Sequence, residues 1–179
     1  MSQLKVNSIV PVGGLSGSAN GGIIQVVSVA KTDTFTTTAA ISSPAAITGM
    51  ACTITPSSNS NKILILANVG SSSATNGDYA ARFHLFKGGS EISGAKGDAR
   101  SSRTRMAFAA RHSNSGRYSS QSMTYLDSPA TTSATTYSVR IGGSKNGTTN
   151  YFVNRPYQWS DDNRRATGIS TLTLMEVSA

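Results

Sequence analysis

Sixteen Lys and Arg stand against eight Asp and Glu, a formal net charge of +8, and the surplus is concentrated. Between Arg82 and Arg117 lie Arg82, Lys87, Lys96, Arg100, Arg103, Arg105, Arg111 and Arg117, opposed by Glu91 and Asp98, so this window carries +6. Arg outnumbers Lys ten to six, and its planar fork suits paired bonds to carboxylates and phosphates. Arg100, Arg103, Arg105, Arg111 and Arg117 are therefore the candidate basic interaction face. Nucleic acid is the first partner such a surplus suggests. No RNP-type aromatic motif, zinc-finger spacing or helix-turn-helix pattern accompanies it. Acidic or backbone groups of neighbouring protein subunits rank above nucleic acid for that reason.

Other chemistry is thinly supplied. The lone cysteine, Cys52, excludes an intrachain disulfide framework and a Cys-rich zinc site. A nucleophilic role would need His84 or His112, which lie in unrelated segments, so a small buried apolar residue is expected there. Asp161-Asp162-Asn163 lacks the ligand spacing of an EF-hand and reads as a solvated loop or a partner of Arg164 and Arg165. A glycosidase or depolymerase would need two carboxylates across a cleft; Asp98, Asp127 and Asp161 are available, without a local signature. The glycine pairs at 13–14, 21–22, 88–89 and 142–143 lack the frame of a phosphate-cradling loop. Asn146-Gly147-Thr148 matches a glycosylation acceptor formally, without a signal peptide to support it. No cofactor or metal is expected. Tyr151, Phe152, Tyr157 and Trp159 form the densest aromatic cluster, with Arg155 among them. Tyr157, Trp159 and Asp161 are the candidate glycan contact; a local core or an interface anchor would explain the same residues.

The elements that would position these groups are strands. At 179 residues the chain has the length of one domain. It is 37% hydrophobic and 13% charged, with 17 Gly and about a quarter Ser plus Thr. Glu occurs only at Glu91 and Glu176, against a helical bundle. No apolar run approaches the ~20 residues of a membrane helix, so no membrane insertion is expected. Residues 1–22 read as an arm and linker. Leu4, Val6, Ile9 and Val10 make an extended segment ended by Pro11, and GGLSGSANGG (13–22) tethers it flexibly. Such an arm is suited to main-chain pairing with another sheet.

From residue 23 to 179, strand signals recur every 10–15 residues. Ile23–Val29 predicts a central strand, Lys31–Thr36 an edge, 39–49 a loop crossing an end, and Ala51–Thr55 a short strand. Lys62–Val69 is the most apolar run, followed by a polar loop over 70–78. Tyr79–Lys87 places Ala81, Phe83 and Leu85 on one face, and Lys87-Gly88-Gly89-Ser90 signals a hairpin. Arg103–Arg111, Tyr118–Leu126 and Thr135–Ile141 follow. Asn146-Gly147 predicts a hairpin returning through Tyr151–Arg155, and Ile169–Val177 closes the series without committing to one buried face. The expected fold is all-β: an antiparallel two-sheet sandwich, jelly-roll-like, with an extended N-terminal arm. The low apolar share suggests a subunit stabilised partly by contacts with other copies.

Several phrases carry a resemblance. They are Gln3-Leu4-Lys5-Val6-Asn7-Ser8-Ile9, the strand from Gly21-Gly22-Ile23 to Val27, TITPSSNSNKILIL (53–66), Leu126-Asp127-Ser128-Pro129-Ala130-Thr131-Thr132, and the closing run from Gly168 to Glu176. In this order they resemble virion structural proteins of tailed bacteriophages, notably phages of marine and freshwater bacteria, described as tail-fibre-like. The resemblance implies a non-enzymatic, β-rich, trimeric component of the virion, whose partners are other virion proteins. Leu4, Val6, Ile9 and Val10 would anchor the arm to the particle while the sandwich projects for assembly or host attachment. The chain lacks the coiled-coil or repeat shaft of a long fibre. A short appendage, a tip or a capsid decoration protein is therefore expected, with a glycan-binding host-recognition module as a further alternative.

Overall fold

The computed structural model describes residues 22–75, 79–111, 119–143, 147–158, 160–161 and 163–179. The residues expected to anchor the arm, Leu4, Val6, Ile9 and Val10, lie outside the described residues, as do Arg117 and Trp159. Eleven strands are described: β1 (Ile23–Lys31), β2 (Phe35–Thr37), β3 (Ala45–Ile54), β4 (Lys62–Ala74), β5 (Ala81–Lys87), β6 (Ser90–Glu91), β7 (Phe108–Ala110), β8 (Ser119–Asp127), β9 (Thr135–Gly143), β10 (Tyr151–Val153) and β11 (Ser170–Val177). A single 3-10 turn, Ser93–Ala95, interrupts them. No described helix is long and apolar enough to cross a membrane.

The strands form two antiparallel sheets packed as a β-sandwich. The first is built on β4, which pairs with β8 along one edge and with β11 and then β10 along the other; β1 lies beyond β11 and β2 beyond β10. The second sheet runs β3-β9-β5, with β6 and β7 on the free edge of β5. Period-two alternation selects the inner faces. Ile63, Ile65, Ala67 and Val69 of β4 and Leu172 and Leu174 of β11 face Ile47, Met50, Cys52, Ile54, Phe83, Leu85, Tyr137, Val139 and Ile141 in one core.

Several expected elements are placed differently. Ile23–Val29 forms an edge strand, whose only described ladder neighbour is β11. The loop foreseen over 39–49 yields at Ala45 to β3. A register shift between Ala46 and Ala51, with Gly49 at φ 84°, breaks the alternation that would have announced the strand. The polar loop foreseen after Val69 begins late, because β4 continues to Ala74. Two of its hydroxyls are absorbed by backbone acceptors: Ser72 Oγ donates to Ser119 O and Ser73 Oγ to Arg155 O. Of Arg103–Arg111 only Phe108–Ala110 is strand. The Gly88-Gly89 hairpin forms as expected, with φ 54° and 86°. The Asn146-Gly147 signal does not, because β10 pairs with β4 and β2 while β9 belongs to the other sheet. That connection crosses between sheets.

Two carboxylates pin the sandwich. Glu176, buried at the end of the inner row of β11, accepts from Ser57 N–H and Oγ–H at 2.7 Å and from Asn61 Nδ2 at 2.6 Å. Asp127, buried at the end of β8, accepts from Tyr137 Oη at 2.6 Å and Lys87 Nζ at 2.9 Å, tying the two sheets together. Burial and the Asp127 charge push the Tyr137 phenol well above its usual range, so it stays a donor.

Burial raises the Glu176 carboxyl, but the donors from Asn61 and Ser57 outweigh it and hold it below the usual glutamate value. A depressed native pKa contributes stability above the unfolded pKa of about 4.3 and loses it as pH falls through the native value. Glu176→Gln is expected to lower stability at pH 7 and to flatten its fall below about pH 4. Asp33 and Glu91, also depressed, would leave a residual slope. Urea titrations from pH 7 to 3 check this.

Candidate interaction surfaces

The outward side of β5 carries Arg82, His84 and Phe86, alternating with the core residues Phe83 and Leu85. In register, His84 lies opposite Arg140 of β9, and Phe86 opposite Ser138 of β9 and Glu91 of β6. The tight β5–β6 hairpin delivers Glu91 to His84, whose Nδ1 lies 2.6 Å from Glu91 Oε1. Lys96 Nζ donates to the other oxygen, Oε2, at 2.5 Å. The Arg140 guanidinium stacks 4.0 Å over the Phe86 ring, a cation–π contact. His84 and Phe86 are buried although they point away from the core. His84 Nε2 and Arg140 Nε are buried without a hydrogen-bond partner among the described residues. Burial raises the Glu91 carboxyl, while Lys96 and His84 pull it down further. The arrangement fixes a carboxylate between two basic side chains and thereby roots the chain that follows.

That chain is the basic loop. Ala95 is buried, Gly97 N–H donates to Met106 O, and Arg105 Nε donates to Gly97 O, closing the base. Arg103 N–H donates to Arg100 O in a turn where Ser101 adopts φ 50°. Arg100 and Arg103 are exposed at this turn, and Arg111 is exposed just beyond β7. Of the candidate basic face, the structure brings Arg100, Arg103 and Arg105 onto one loop. It assigns Arg105 to loop closure and leaves Arg111 at the far end of β7. Arg100→Ser, Arg103→Ser and Arg111→Ser combined are expected to move elution from heparin to lower salt. The salt slope of polyanion binding should drop by about 2–3 units, the signature of lost anion contacts. The CD spectrum should not change.

The aromatic cluster is divided. Tyr151 and Phe152 on β10 are buried and belong to the framework. Tyr157 stacks on Phe152 at 6.0 Å between centroids, and the Arg155 guanidinium lies 4.7 Å over the same ring. Arg155 also donates to Pro156 O and Tyr157 O. Tyr157 is half-buried with one face used by Phe152, while Asp161 is exposed. Of the acids considered for catalysis, Asp127 is committed to Tyr137 and Lys87, and Asp98 is exposed. Cys52 is buried opposite Tyr137, and burial raises its thiol, which keeps it protonated and unreactive. Among the described residues no three His, Cys, Asp or Glu converge on a metal site.

Sequence reasoning missed the His84–Glu91–Lys96 chain and the Arg140–Phe86 stack. The hairpin signal at Gly88-Gly89 was the available clue, since it sets Glu91 opposite Phe86 and beside His84. No protein-family model matches the chain, and no curated protein matches it.

Proposed function

We propose that this chain is a non-enzymatic structural subunit of a tailed-bacteriophage virion: a short tail-fibre or appendage protein, trimeric, anchored by its N-terminal arm. Its jelly-roll-like sandwich would meet other virion proteins or the host surface. One observation carries the reading. The phrases that resemble phage structural proteins meet in one sheet: TITPSSNSNKILIL supplies Ser57 and Asn61 to Glu176 of the closing run, and its strand pairs with the closing run on one side and with Leu126 and Asp127 on the other. These residues serve the fold and not a site, so the likeness is one of framework. The basic loop at 96–111 supports an acidic protein partner.

Capsid decoration uses the same features and differs only in location on the particle. Tyr157, held against Phe152 beside Arg155, supports glycan contact as a further role. Quantitative mass spectrometry and immunogold labelling of purified particles test the proposal. The chain should be present at a stoichiometry divisible by three and localise to the tail or the capsid. Absence from purified particles overturns it.

A further inference from the structure

Four of the five large apolar side chains exposed among the described residues lie in one region: Ile23 at 59%, Ile24 at 54%, Val26 at 53% and Leu126 at 46%. The register places Ile23, Val26 and Leu126 on the outer face of the first sheet, and Ile24 is exposed at the irregularity between Ile23 and Gln25. Val26 of β1 lies opposite Met175 of β11, Met175 opposite Leu64 of β4, and Leu64 opposite Leu126 of β8. An unbroken apolar stripe therefore crosses all four strands, with Ile23 and Ile24 at its β1 end. Among the outward positions of these strands only Lys62 is charged, and it sits at the end of β4, where it can remain in solvent. Outer sheet faces in water are expected to alternate with polar residues, and the cores of protein interfaces are depleted of charge.

We propose that this face is a self-association interface, covered by a second copy of the same chain. Charge argues for that occupant. Copies that each carry +8 repel one another over most of their surfaces, and this face lets two of them meet without opposing like charges. Apart from Lys62 at its margin, it offers no charge to recruit an acidic partner. Size argues the same way. Four strands at ~4.8 Å spacing and eight residues at ~3.3 Å rise span roughly 500 Å² of flat area. Side-chain relief brings that toward the ~800 Å² per partner of a standard interface. A single extended segment is about one strand spacing wide, ~5 Å, and would cover only about a quarter of that four-stranded face. The inference rests on the sheet face alone and does not require the virion reading.

Sedimentation velocity of the full chain across concentrations tests it, with Val26→Lys/Leu126→Lys as the variant. Both positions are about half exposed, so the folded monomer can hold the longer side chains in solvent. The wild type should associate at micromolar concentration, and the variant should weaken association by about 100-fold or more with its CD spectrum unchanged. Thr53→Lys, on the outer face of the other sheet, should associate like wild type. Peroxide oxidation of the wild type gives a readout that needs no variant: Met175, in the middle of the stripe, should be protected as concentration rises, relative to Met106. A monomeric wild type, unaltered association in the variant, or association without protection of Met175 overturns the proposal. So does loss of association on deletion of residues 1–21, which would assign the contact to the arm.

Discussion

Gly143→Ala is expected to prevent the chain from folding stably, although it adds one methyl group. Gly143 ends β9, and a Cβ built there falls inside the ring of Tyr151, which is fully buried. Neither side can yield cheaply. Gly143 N–H donates to Ala39 O, Ile41 N–H donates to Gly143 O, and Gly143 pairs with Ala81 of β5. Tyr151 is held by β10, between β2 and β4. Overpacking a core by a methylene or two costs about 1–3 kcal/mol. An overlap this complete should exceed that, at about 4 kcal/mol or more, a large share of the ~5–15 kcal/mol available to a domain. Combining Gly143→Ala with Tyr151→Ala tests the cause: the double variant should be more stable than the sum of the single effects predicts. Thermal and urea denaturation of the three variants measure this, and a Gly143→Ala protein melting within a few degrees of wild type would refute it.

Asn154→Ala should be nearly as damaging, for polar reasons. Asn154 is fully buried at φ 62°, just after β10. Its Nδ2 donates to Lys31 O at 2.8 Å and Asp33 O at 2.9 Å, and its Oδ1 accepts from Ser170 Oγ at 2.7 Å. Ser170 Oγ in turn accepts from Gly70 N–H at 3.0 Å, and Asn154 N–H donates to Gly70 O at 3.0 Å. One side chain thus joins the β1–β2 turn to the start of β11, while its backbone holds Gly70 of β4, where the ladder to β8 shifts register. Alanine would strand two carbonyls and a hydroxyl at about 1 kcal/mol or more each, and would add about 1 kcal/mol of left-handed backbone strain. The expected loss is about 4 kcal/mol in total. Asn154→Gly removes the same bonds but relieves the backbone, so it should be about 1 kcal/mol more stable than Asn154→Ala. Equal stabilities would mean that the left-handed conformation costs nothing here.

What was legible in the sequence followed from local chemistry. The inward side of β5, the Gly88-Gly89 hairpin and the strand identity of Lys62–Val69 each need only alternation, turn chemistry or an apolar run. Neighbour relations were not legible, because alternation says which side chain points inward and not which strand lies alongside. Ile23–Val29 looked central because Ile23, Ile24 and Val26 on its exposed side are apolar as well, and those residues set the β1 end of the stripe on the sheet's outer face. Ala45–Gly49 hid as a loop behind a bulge, and the end of β4 hid as a loop because the polar side chains of Ser72 and Ser73 serve the backbone. On the surfaces, the excess of arginine was evident. The commitment of Arg105 to Gly97 and the burial of His84 beneath its own sheet's outer side required the fold. Glu176 closed a strand whose buried face the pattern left open, and its burial is explained only by Ser57 and Asn61 more than a hundred residues earlier.

The position of β1 also bears on how the molecule is made. Its ladder partner β11 begins at Ser170, well over a hundred residues downstream. Until β11 emerges, β1 has no ladder neighbour among the described strands, and it carries Ile23, Ile24, Val26, Val27 and Val29 in one uncharged run. Contacts of this sequence separation are slow to form, and an unpaired, β-branched strand is the kind of segment that recruits other nascent chains. Yield on refolding should therefore be limited by concentration more than by native stability, and the segment most exposed to that competition is the first strand of the sandwich.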